Sequence, residues 1–239
     1  MKIDTKQEKA LKKSGLFQGI ADEEYKSLIN CISPQIKHFS KNEIMILTGD
    51  KVNHIGVILN GTASAYLEHI DGSRTIMSNL SPMSVFGEII VSTRTHKSPV
   101  TVYALTDVTA AFIEYRKVYS MCAAACASHS IFLENMLMAV GDKYFLLFDR
   151  IAILREKTLR SRILAYLIAL SDRMESDTVM LPFSKTMLAD YLLANRSALS
   201  KELRKMENDG LIKVNGREVK LFRSWSYWSE SNRQPDHYE

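Results

Sequence analysis

The period of apolar and polar positions changes twice along the chain. Over 36–113 short β-prone runs alternate with turn residues. His54-Ile-Gly-Val-Ile-Leu-Asn60-Gly61-Thr-Ala-Ser-Ala-Tyr-Leu67 sets two such runs around Asn60-Gly61, a strong signal for a two-residue hairpin, and Asp71-Gly72 does the same between 63–70 and 75–80. Many short strands at this spacing predict an antiparallel roll or barrel rather than a parallel sheet. Ahead of them Leu11, Leu16, Phe17, Ile20 and Leu28 have helical spacing and predict a small helical lead-in.

The second pattern runs over 128–154 without a proline. Leu133, Leu137, Val140, Tyr144, Leu147, Ile151 and Leu154 alternate spacings of four and three, the a/d seam of a coiled coil. Such a helix is roughly 40 Å long at 1.5 Å per residue. Phe132, Met136, Phe145 and Phe148 lie off the seam, so one stripe is expected to pack on its own domain while the other meets a second copy. Gly141 interrupts the middle, where its missing Cβ permits close helix approach or a bend.

A third pattern follows. Ile163, Leu164, Leu167 and Ile168 mark the inner face of a helix over 159–170, and a short segment over 179–183 leads into two helices split by a tight turn. Met187, Leu188 and Leu192 belong to the first; Ala198, Leu199, Leu203 and Met206 give the second its inner face, and Asp209-Gly210 ends it with a glycine suited to a left-handed cap. Asn215-Gly216 then joins two β-prone runs into a two-stranded wing. The expected class is α+β: an antiparallel jelly roll over 1–127, a dimerisation helix over 128–154, a winged helix-turn-helix over 155–223 and a tail beyond it.

Composition narrows the function. With 46% apolar and 24% charged residues, the 239-residue chain reads as a globular protein. Its polar start and the lack of a long apolar run predict a cytoplasmic protein without membrane segments. Three cysteines, Cys31, Cys122 and Cys126, with no CxxC spacing, argue against a disulfide framework or a zinc ribbon. Net charge is +4, and residues 155–223 hold 14 Lys/Arg against 9 Asp/Glu, which concentrates the basic surplus in the C-terminal third. That is the footprint expected of a phosphate-binding surface.

The second helix of the pair carries the chemistry. Asn195 is an N-cap candidate, and Arg196, Ser197, Ser200, Lys201 and Arg204 are left facing outward. An arginine near the start of a recognition helix can grip guanine O6 and N7 with two parallel hydrogen bonds, and Lys201 follows one turn later. Ser184 is placed to cap the preceding helix beside a phosphate, with Lys185 and Arg217 as nonspecific backbone contacts. The expected partner is double-stranded DNA.

Several stretches together resemble the Crp/Fnr family of bacterial regulators from about Leu11 to Phe222: Val57-Ile-Leu-Asn-Gly61, Phe86-Gly-Glu88, a strand over 98–105, Leu188-Ala-Asp-Tyr-Leu192, Asn195-Arg-Ser-Ala-Leu-Ser-Lys-Glu-Leu203 and 206–212. The resemblance implies a homodimer on an inverted repeat, with the roll sensing a signal, the long helix passing it on and RNA polymerase as a candidate partner. In relatives that bind cyclic AMP, glutamate holds a ribose hydroxyl and an arginine neutralises the phosphate. Here Gly87 and Glu88 are in place, but Ser98, followed by Pro99, stands where that arginine is expected; Lys97 points to the opposite strand face and Arg94 lies in the intervening segment. A buried phosphate without its cation is poorly compensated, so the effector pocket of Gly87, Glu88, Ser98 and Pro99 is expected to take an unknown signal, small molecule or redox, other than cyclic AMP.

Three cysteines do not supply a four-cysteine iron–sulfur site, Cys122 and Cys126 read as small buried residues of an Ala-rich helix, and no metal or cofactor is expected. Leu193 occupies the inter-helix turn where many relatives have glycine, a position at which a non-glycine residue stores about 1 kcal/mol. Trp225, Tyr227 and Trp228 lie in a tail outside the resemblance. Two other classes fit the residues less well. A metal-dependent double-stranded β-helix enzyme needs a His-x-His that is absent, and a nucleotide-binding module acting on a protein partner would have no use for the wing and the Arg196 helix.

Overall fold

The computed structural model describes residues 5–119, 127–182 and 184–222. They fall into two compact units, Met1–Tyr144 and Phe145–Glu239. The first opens with α1 (Thr5–Lys12), a 3-10 turn (Gly15–Phe17) and α2 (Asp22–Ile32). Strands β1 (Gln35–Phe39), β2 (Ile44–Ile46), β3 (His54–Asn60), β4 (Ala63–Glu68), β5 (Arg74–Leu80), β6 (Val85–Phe86), β7 (Thr101–Ala104) and β8 (Val108–Glu114) follow, with the short helices α3 (Glu88–Val91) and α4 (Tyr115–Tyr119) inserted. They form two antiparallel four-stranded sheets, β1-β8-β3-β6 and β2-β7-β4-β5, the jelly roll expected from the turn spacing.

One turn works differently from its sequence signal. Asn60-Gly61 does not close a hairpin, because β3 and β4 lie in different sheets; it is a corner where the chain changes layers. Gly61 has φ +81°, and a Cβ there would come within 2.1 Å of the Asp107 carbonyl oxygen, so backbone approach fixes this glycine. Asp71-Gly72 does join paired neighbours, β4 and β5. Gly56 serves packing: an added Cβ would fall 2.0 Å from the Phe86 ring, which lies 5.6 Å from the Phe112 ring. Strand β3 is buried from Ile55 to Leu59.

Helix α5 (Ala127–Arg155) is unbroken through Gly141, at which an added Cβ meets nothing within 4 Å. Its first half belongs to the core of the first unit: Phe132 and Met136 are buried, Phe132 meets the Phe17 ring edge-on at 5.2 Å, and the Asn135 amide donates to the Leu16 and Gln18 carbonyls at 3.1 and 2.8 Å. Phe145 and Phe148, the other two off-seam aromatics, are exposed instead, so the inward stripe expected along the whole helix holds only for its first half.

The second unit adds α6 (Leu159–Met174), β9 (Thr178–Met180), α7 (Lys185–Tyr191), α8 (Arg196–Asn208), β10 (Ile212–Asn215) and β11 (Glu218–Leu221). Thr158 starts α6 by accepting from the Ser161 N–H at 3.0 Å. The wing has three strands, in the order β10-β11-β9, and not two: Val179 pairs with Val219 and brings the segment before α7 into the sheet. Its core gathers Ile153, Ile163, Leu167, Val179, Leu188, Leu199, Leu203, Met206 and Val219. Among the described residues no helix is long and apolar enough to cross a membrane.

Candidate nucleic-acid interface and sensing pocket

Helices α7 and α8 are held in register by local bonds and by α6. The Ser184 hydroxyl caps α7 by accepting from the Met187 N–H at 3.3 Å, as expected of that serine. At the other end of α7, the Leu193 N–H donates to Asp190 O at 3.2 Å and the Ala194 N–H to Ala189 O at 2.9 Å, the paired bonds of a Schellman turn. This puts Leu193 in the left-handed region, φ +51°. Helix α8 ends in the same motif, with Gly210 at φ +70°, Gly210 N–H to Glu207 O at 3.0 Å and Leu211 N–H to Met206 O at 3.0 Å. One motif therefore appears with a strained leucine at its first use and a permissive glycine at its second.

Asn195 takes the N-cap backbone position of α8 but makes no side-chain cap bond. Leu199, Leu203 and Met206 turn inward; Ala198, expected with them, is exposed, because it sits one residue ahead of the buried face. Arg196, Ser197, Lys201 and Arg204 are exposed along the outer face and Ser200 is half-buried. Lys185, beside Ser184, is also exposed. Arg217 behaves differently from these: its Nε and Nη2 donate to the Leu181 carbonyl at 3.0 and 2.8 Å, so part of its guanidinium ties the wing to the segment ahead of α7.

Three basic residues counted in the charge surplus prove to be structural. Arg160 of α6 pairs with Glu202 (Nε–Oε1, 2.7 Å) and Asp209 (Nη1–Oδ2, 2.6 Å), gripping α8 along its length. Arg162 donates to Glu156 O at 3.0 Å and Leu192 O at 3.2 Å, the latter within the inter-helix turn. Arg173 pairs with Asp149 of α5 at 2.9 Å. No sequence signal separates these arginines from the outward ones, since the distinction depends on which carboxylates and carbonyls the fold brings near.

In the roll, Gly87 has φ +83°, and a Cβ there would lie 2.8 Å from His54 O, so the turn into α3 admits only glycine without a shift. Glu88 is fully buried, and its charge is met by Lys143 of α5, whose Nζ is 2.5 Å from Oε1 and also donates to Val85 O at 2.8 Å. Sequence reading missed Lys143; its only trace is a lysine set among apolar residues in the long helix. Ser98 is buried, but its hydroxyl donates to Val100 O at 2.7 Å and accepts the Val100 N–H at 3.3 Å, closing a local turn that delays β7 to Thr101. Pro99 and Arg94 are exposed. Glu88 is thus paired with a lysine through Oε1, its Oε2 has no hydrogen-bond partner among the described residues, and a serine, not an arginine, stands at position 98. Cys122, Cys126 and the tryptophan-rich tail lie outside the described residues.

The cyclic nucleotide-binding domain family matches residues 36–125, and the Crp-like helix-turn-helix domain family matches residues 161–223. Solved structures of similar fold include a CooA variant from Carboxydothermus hydrogenoformans (TM-score 0.67, 20% identity, 92% of this chain and 97% of that one). The c-di-GMP-responsive global regulator CLP of Xanthomonas campestris aligns with TM-score 0.60 at 16% identity over 85% of this chain and 100% of its own. FixK2 from Bradyrhizobium japonicum aligns with TM-score 0.57 at 16% identity over 85% and 99%. Among curated proteins none matches. A roll of the nucleotide-binding type, a long helix and a Crp-like reading head place the chain in the Crp/Fnr family of DNA-binding transcription regulators.

Proposed function

We propose that the protein acts as a homodimer that reads an inverted DNA repeat and is governed by a small-molecule or redox signal other than cyclic AMP. The observation that carries this reading is the exposed apolar stripe of α5 from Leu137 to Ile151. Leu137, Tyr144, Leu147 and Ile151, four of the seven seam positions, are 70, 62, 42 and 62% exposed, and Phe145 and Phe148 lie open beside them. An apolar stripe of this length is stable in water only when covered. Its four-three spacing suits a second copy of the same helix, and the open space at Gly141 suits close approach.

Two copies would then present two α8 helices to successive major grooves, roughly 34 Å apart. Arg196 and Lys201 would read base edges from the outer face, with Asn195, Ser197 and Ser200 supporting them and Ser184, Lys185 and the remaining donor of Arg217 on phosphates. The absence of an arginine at Ser98, whose hydroxyl is engaged by Val100, supports a ligand other than cyclic AMP in the pocket of Gly87, Glu88, Ser98 and Pro99. A signal received there would bias the packing of the long helices and so the spacing of the reading heads, with RNA polymerase as the candidate downstream partner.

Sedimentation equilibrium together with selection of bound duplex from a random pool tests the reading. A dimer and a two-fold symmetric half-site are expected. L147E/I151E should give a monomer with at least about hundredfold weaker binding to the selected site, since charges cannot be buried along the seam. A wild-type chain that stays monomeric and ignores duplex even at low salt would end this reading.

A further inference from the structure

One turn of α5, from Asp149 to Ile153, makes three separate contacts within the second unit. Asp149 pairs with Arg173 of α6, Ile153 enters the core, and Arg150, only 8% exposed, lays its guanidinium 4.8 Å from the centroid of the Tyr191 ring. Tyr191 in turn stands 5.4 Å from the Tyr166 ring of α6. A buried arginine is uncommon, and over an aromatic face it is held by a planar stack that a lysine does not reproduce.

What makes Arg150 more than a packing residue is where Tyr191 sits. It is the last residue of α7, followed at once by Leu192, whose carbonyl accepts from Arg162, by the left-handed Leu193, and by Asn195 at the start of α8. The strained turn is therefore gripped on one side by Arg162 and approached on the other through Tyr191. We propose that Arg150 is a positioning residue for DNA recognition: stacked on Tyr191, it fixes the α7–α8 turn to the end of the long helix and so sets the pose of Arg196 and Lys201. This rests on the reading of α8 as the recognition helix. It adds a named link between that helix and the dimer-forming one.

The test uses the full-length protein and the half-site selected above, at a temperature where circular dichroism shows every variant fully folded. R150A should bind the selected site about tenfold more weakly or worse while keeping wild-type affinity and salt dependence on random duplex, because phosphate contacts tolerate a small misplacement and base contacts do not. R150K, which keeps charge and stem, should fold as wild type and lose roughly three- to tenfold. Y191L should match R150A, Y191F should stay close to wild type, and the double variant R150A/Y191L should be about as weak as either single one, the mark of one coupled contact. Binding by R150A within twofold of wild type, or equal losses on selected and random duplex, overturns the proposal. A wild-type chain with no sequence preference would instead overturn the reading beneath it, and the proposal with it.

Discussion

In the roll, the buried polar groups beside α3 are met mostly from within the chain: Glu88 faces Lys143 through Oε1 while its Oε2 has no hydrogen-bond partner among the described residues, and the Ser98 hydroxyl and the Val100 backbone satisfy each other. On α8 the arrangement differs, since Arg160 pairs with the half-buried Glu202 and the exposed Asp209 while Arg196, Lys201 and Arg204 stay exposed on the outer face. On the proposed reading, the outer face of α8 suits a polyanion because Glu202 and Asp209 are paired with Arg160. On the same reading, a ligand reaching Glu88 would compete with Lys143 at Oε1 only. A surface that binds by long-range charge gains from standing exposed, whereas a buried carboxylate without a counter-charge would destabilise the fold.

The largest effect expected from this contrast lies in the roll. K143M removes the counter-charge of a buried carboxylate and should cost about 2–3 kcal/mol, less than the roughly 3–5 kcal/mol of a fully buried pair because Lys143 is partly exposed. K143M/E88Q should recover most of that loss in urea unfolding. If K143M alone proves neutral, the roll is not internally compensated and the contrast fails.

On the reading head, R196A should cost about 1–3 kcal/mol on the cognate half-site and flatten base preference at one position. K185A should weaken all sequences alike and lower the salt slope by about one. Titrations of both variants across salt concentrations separate the two roles, and equal behaviour would mean that α8 contacts only backbone.

A smaller effect sits in the paired Schellman turns. L193G relieves the left-handed leucine at some cost in chain entropy, and the net gain should be roughly 0.5–1 kcal/mol, seen as a Tm rise of ~1–4 °C. The converse change, G210L, should destabilise by a similar amount.

The smallest effect concerns pH in the roll. Burial, with Lys37 nearby, holds the His54 imidazole below the ordinary histidine value. The unfolded chain therefore takes up the proton first as pH falls through about 6.5, and stability declines from there down to the lower folded value before levelling off. Thermal melts should be flat above pH 7 and drop modestly toward pH 5, and H54Q should lessen that drop. A drop unchanged in H54Q would assign the dependence to other groups.

Much of this was legible in the residues. The four-three spacing marked the C-terminal end of α5 to within a residue, Ser184 was recognisable as a cap, and Leu193 was identified as the turn residue at positive φ. The misreadings share a cause. Asn60-Gly61 has hairpin chemistry but turns the chain between layers, Ala198 fits an apolar pattern but sits outside it, and β9 was too short to register until Val219 lay opposite Val179.

Local order is what the sequence determined by itself: the kind and order of helices and strands, the Ser184 cap and the Leu193 and Gly210 turn positions follow from periodicity and backbone preference, which act over a few neighbours. The pairing of distant charges was decided only in three dimensions. Lys143 meets Glu88 across 55 positions, Arg160 meets Glu202 across 42 and Arg150 meets Tyr191 across 41, and nothing in the local chain separates these cations from the exposed ones. An ion pair depends on distance and burial after folding, and neither is written in the identity of a single residue.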